Sequence, residues 1–119
     1  MAYNEIRVQQ IASVLRQLNV DFYEKKMFAG VCFFVDDKML CGSHTDKVSG
    51  EDLLMCRIGE ESYDAAILKR GCQPMNFTGK PMKGYVFVTS EGYTNPKDLL
   101  YWINLCLAYN PLAKKAKKK

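Results

Sequence analysis

Met27-Phe28-Ala29-Gly30-Val31-Cys32-Phe33-Phe34-Val35-Asp36-Asp37-Lys38-Met39-Leu40-Cys41-Gly42 is the stretch that decides the fold class. Two short apolar runs, residues 31–35 and 38–41, flank Asp36-Asp37, a pair that tolerates the positive φ of a tight hairpin turn, so the stretch reads as two antiparallel strands. Counting outward from that turn pairs 35 with 38, 34 with 39, 33 with 40 and 32 with 41. Strict alternation makes 32 and 41 a non-hydrogen-bonded pair with α-carbons about 4.5 Å apart. Cys32 and Cys41 are therefore expected to be a cross-strand thiol pair on one face, shared with Phe34 and Met39.

Working outward, Leu53-Leu54-Met55-Cys56-Arg57-Ile58 reads as a third strand, and residues 44–52 between, with Thr, Asp, Ser and Gly, as a loop. The block from Pro74 through Gly79-Lys80-Pro81 to Tyr85 reads as a strand, a turn and a further strand over residues 85–88. Residues 21–26 read as a polar connector. A helix is predicted over residues 5–18, with Val8, Ile11, Ala12, Leu15 and Leu18 on one face, Arg7, Gln10, Arg16 and Gln17 off it, and Asn4 as its cap. Glu60 and Glu61 open a second helix at the positive end of its dipole. Tyr63, Ala66, Ile67 and Leu68 are its expected apolar face, and Lys69-Arg70-Gly71 closes it. Asn95, Pro96 and Asp98 form the start signature of a last helix. Apolar side chains surround most of that helix, so it is either central or covered by a partner. Trp102, Leu105 and Tyr109 are the candidate interface if a second copy covers it as a homodimer.

The predicted order is α-β-β-β-α-β-β-α. Strands that cluster instead of alternating with helices define an α+β domain with an antiparallel sheet packed by helices. At 119 residues, 48% hydrophobic and 25% charged, the chain fits one domain with one core. No apolar run approaches the ~20 residues of a membrane span, and residues 1–10 are polar, so a cytoplasmic protein is expected. Five lysines lie within the last six residues, and removing their five charges from the formal +4 leaves −1. Residues 1–113 are thus expected to form a near-neutral domain without the basic face of a specific nucleic-acid binder, and residues 114–119 a disordered lysine-rich tail.

Cysteines at 32, 41, 56, 72 and 106 are odd in number and lack C-x-x-C spacing, and His44 is the only histidine. That pattern argues against structural zinc and against a secreted disulfide framework, and for thiols that behave as small buried hydrophobes. Gly79-Lys80-Pro81 does not make a nucleotide P-loop, because Pro74 stands where the motif's first glycine belongs and Pro81 replaces its hydroxyl residue. Lys80, Lys83 and Arg57 remain candidates to converge on a small anion, a nucleotide ligand or an acidic partner, with solvated turn lysines as the plainer reading. Cys41 and His44 make a poor nucleophile and base, three residues apart with no third group to orient the imidazole. Phe33, Phe34, Tyr85, Phe87 and Trp102 lie at core spacing and are not interleaved with basic residues as in a single-strand binding platform.

Met27-Phe28-Ala29-Gly30, Met39-Leu40-Cys41-Gly42, residues 53–59, the block of residues 74–88 and residues 99–102, in that order and spacing, resemble the TfoX/Sxy N-terminal domain family over nearly all of residues 5–110. Ala29 departs from the family's usual glycine. The resemblance implies a secretion-chaperone-like α+β fold and a short standalone member. It brings no catalytic set, cofactor or metal. The expected role is a non-enzymatic module that binds another protein, a transcriptional or competence-type coregulator by resemblance. The alternative is an anion- or nucleotide-ligand-binding module using residues 80–84, and a thiol-dependent enzyme stands third.

Overall fold

The computed structural model describes residues 4–27, 30–46, 49–74, 84–93 and 95–112. Lys80, Lys83 and the lysine-rich tail lie outside the described residues. Among these residues the elements run α1 (Glu5–Gln17), β1 (Tyr23–Met27), β2 (Gly30–Val35), β3 (Lys38–Thr45), β4 (Asp52–Arg57), α2 (Glu60–Ala66), β5 (Cys72–Pro74), β6 (Tyr85–Val88), α3 (Ser90–Tyr93), α4 (Pro96–Tyr109) and a closing 3₁₀ turn (Asn110–Leu112). The strands form one antiparallel sheet in the order β1-β2-β3-β4-β6-β5. The fold is α+β, as the strand clustering implies.

Local chemistry accounts for the boundaries. Asn4 accepts from the Ile6 amide at 2.9 Å and Asn95 from the Lys97 amide at 2.8 Å, so each helix of the main pair starts on an asparagine cap. Asp36 and Asp37 have φ of 57° and 62°, the two left-handed residues of a tight hairpin turn between β2 and β3.

The sheet has two apolar faces. On one, Val31, Phe33, Cys41, Leu54, Cys56, Val86 and Val88 pack under α1 and α4, which contribute Val8, Ile11, Leu15, Trp102, Ile103 and Cys106. The other gathers Cys32, Phe34, Leu53, Met55 and Phe87, with Met39 and Tyr85 packed against them. The helix-covered side carries the larger core.

Several expectations are corrected. Residues 23–27 are a strand and not a connector: β1 pairs with β2 along its whole length, but its exposed Glu24, Lys25 and Lys26 hide the alternation that would reveal it. Leu68 is 85% exposed, because α2 ends at Ala66 before that side chain can turn inward. The hairpin register also differs. Phe34 faces Met39 but Phe33 faces Cys41, so Leu40 is an extra residue on β3 and the count shifts by one. Cys32 consequently faces Gly42, and a Cβ at Gly42 would meet the Val31 carbonyl oxygen at 2.9 Å and Cys32 Sγ at 3.2 Å. Cys32 and Cys41 lie on opposite faces of the sheet and are not a cross-strand pair.

Candidate functional site

The thiols show what the interior can do chemically. Cys41 of β3 lies directly opposite Cys56 of β4, and Cys106 of α4 shares their core and acts on both electrostatically. All three are buried beneath the helices. Burial first, and the neighbouring sulfurs second, push Cys41 and Cys56 well above their ordinary pKa. Burial alone raises Cys32 from 9.0 to about 12 and Cys72 to about 11. Each of these four therefore holds its proton at neutral pH, the opposite of an activated nucleophile. His44 stacks on Phe87 at 5.8 Å, on the face away from Cys41, so the pair considered from sequence cannot meet. Among the described residues no three His, Cys, Asp or Glu side chains are placed to hold a metal ion.

Arg57, at the end of β4, sets its guanidinium 5.6 Å from the Tyr85 ring centre and 5.9 Å from that of Tyr109. The cation is thus engaged by two aromatic faces within its own chain. Its proposed companions Lys80 and Lys83 lie outside the described residues. Trp102 is only 2% exposed, with its indole N–H donating to the Gly92 carbonyl at 3.1 Å, so it belongs to the core and not to an interface. Leu105 and Tyr109 are half-buried: the first packs on the main core, and the second lies against Gly59 and Arg57.

A surface concavity lies elsewhere. A groove of about 500 Å³ runs along α1 and is closed by α3 and the start of α4. Its apolar lining is Ile6, Val14, Tyr93, Pro96 and Leu99, and its polar lining is mostly amide and hydroxyl, from Gln9, Gln10, Ser13 and Gln17. Among the described residues Glu5 is the one acidic or basic side chain on it. Ile6 stands 68% exposed on this surface, a large apolar side chain left in water.

A polar clamp fixes the groove's end. Asp52 of β4 accepts from Asn4 Nδ2 at 2.8 Å and from Thr45 Oγ1 at 2.9 Å, with Arg7 Nε 3.9 Å away. The Tyr93 hydroxyl donates to the Asp52 carbonyl oxygen at 2.6 Å, and the Arg7 guanidinium lies 5.1 Å from the Tyr93 ring centre. Burial raises Tyr93 to about 12 against the opposing pull of Arg7, so its hydroxyl stays a donor. The start of α1, α3 and the sheet are thereby held in one geometry around the groove. Sequence periodicity missed this surface. Its available signal was Ile6, an apolar residue set among the glutamines of α1's outer side.

An antiparallel sheet with helices on one face, buried thiols and an open groove describe a small α+β domain. The TfoX N-terminal domain family model matches residues 15–109, and the chain belongs to that family. No curated protein and no solved structure matches it. Among the described residues no helix is long and apolar enough to cross a membrane.

Proposed function

We propose that this domain acts in the cytoplasm by binding another protein, without catalysis, and that it serves as a coregulator in transcription of the kind its family resemblance implies. The observation that carries the reading is the α1–α4 groove. Its lining extends from position 5 to position 17 of α1, about 18 Å at the helical rise, a shape suited to roughly three turns of a partner helix. The occupant we assign is an amphipathic helix of a partner protein, with its apolar side chains laid against Ile6 and the partly exposed Val14. Amide and hydroxyl groups around those side chains can donate or accept, so they match polar residues of the partner without demanding one sign of charge. The raised thiol pKa values support the non-catalytic part of the reading.

Ile6→Glu tests it, because a side chain already 68% exposed can be changed without disturbing the core. Affinity capture from the native host with the intact chain and with the variant, compared by mass spectrometry, should show a partner retained by the first and lost by the second at equal melting temperature. An identical captured set would overturn the assignment of the groove.

A further inference from the structure

The two edges of the sheet differ. Among the described residues β5 spans three residues and ends in Pro74, which has no N–H to offer another strand. β1 spans five residues, has β2 as its strand neighbour, and exposes Tyr23, Glu24, Lys25 and Lys26. Alternate residues of such an edge direct backbone N–H and C=O groups outward.

We infer that this edge pairs antiparallel with β1 of a second copy, about a twofold axis through Lys25, to give a continuous sheet with both helix layers on one side. Charge selects the register. For a twofold axis perpendicular to the sheet, the axis passes through a residue, and facing residues keep the same face. Centring on Glu24 sets two carboxylates together, and centring on Lys26 sets two ammonium groups together. Centring on Lys25 brings Glu24 opposite the partner's Lys26 and Lys26 opposite the partner's Glu24, two complementary cross-strand pairs.

Lys25 meets its own copy at the axis, and the structure shows how that repulsion is reduced. Its Nζ lies 5.8 Å from the Tyr23 ring centre and 5.4 Å from that of Phe34, drawn over stacked rings of its own chain on the opposite face from Glu24 and Lys26. An isolated edge lysine opposes pairing. Here Glu24 supplies the opposite charge two residues away, so the strand is self-complementary. The contact uses none of the residues of the α1–α4 groove and stands independently of the partner assigned to it.

Sedimentation equilibrium of the intact chain at low salt, over a wide concentration range, reads the result. The mass should rise with concentration from 13.6 kDa toward twice that value. Glu24→Lys and Lys26→Glu alone should each raise the dimer dissociation constant about tenfold, since each turns both symmetric attractions into repulsions. An equimolar mixture of those two variants should recover the original affinity, because the heterodimer has opposite charges at both pairs. A constant 13.6 kDa at all concentrations would overturn the inference, as would a dimer insensitive to both reversals or a mixture no tighter than its components.

Discussion

Lys38→Met should lower stability by about 2 kcal/mol, through loss of a latch that ties the end of α4 to the hairpin turn. Lys38 is only 8% exposed, and its Nζ donates to the carbonyls of Asn110 at 3.2 Å and Pro111 at 3.4 Å. Asn110 returns the contact by donating from Nδ2 to the Val35 carbonyl at 3.3 Å. Charged-donor hydrogen bonds contribute about 1.5–3 kcal/mol, and these are long, so the lower end applies. A cation at a helix C-terminus adds about 0.5 kcal/mol. The Asp36 carboxylate, 3.8 Å away but with its side chain 70% exposed, adds almost nothing. Methionine keeps the aliphatic stem, so packing changes little. At roughly 4 °C per kcal/mol for a chain of this size, Tm should fall by about 8 °C in circular-dichroism melts. Asp36→Asn is the control. Asparagine accepts the left-handed φ of 57°, and only the exposed ion pair is lost, so Tm should move by about 1 °C. A Lys38→Met melt within about 2 °C of the parent would refute the latch. An equal fall for Asp36→Asn would assign the effect to the ion pair instead.

Two further outcomes follow from the interior chemistry. Iodoacetamide at neutral pH should modify Cys72 first, since it alone among the cysteines is not fully buried, and diamide should link Cys41, Cys56 and Cys106 among themselves; a dominant Cys32–Cys41 link would contradict the β3 bulge. Stability should fall as pH rises from about 9 toward 12, because the unfolded chain releases thiol and Tyr93 protons that the folded chain still holds; unchanged urea midpoints from pH 8 to pH 11 would be inconsistent with the raised pKa values.

Much of the fold was legible wherever local chemistry decides structure. Asn4, Asn95 and Pro96 marked the helix starts, Asp36-Asp37 marked the turn, and residues 85–88 were a strand with the observed bounds. β1 was not legible, because an edge strand with exposed charges has no apolar face to betray its period. The extra residue at Leu40 was equally hidden. Leu40 and Cys41 are both buried beneath the helices, so the hydrophobic pattern alone does not show which residue lacks a partner. The same slip misplaced the thiol pair, whereas Trp102 was misassigned because an all-round apolar helix reads alike whether its cover is a sheet or a partner. The groove requires α1, α3 and α4 to meet, a tertiary relation that no single segment encodes.

The central claim is that the α1–α4 groove receives a partner helix. Site-specific photo-crosslinking in the native host tests it most directly, with a benzophenone side chain at Gln10, inside the groove, or at Glu61, an exposed position of α2 away from it. Illumination should give a discrete adduct with one partner protein from position 10 and none from position 61. Ile6→Glu in the same chain should abolish that adduct. No adduct at position 10, or the same adduct from both positions, would contradict the account.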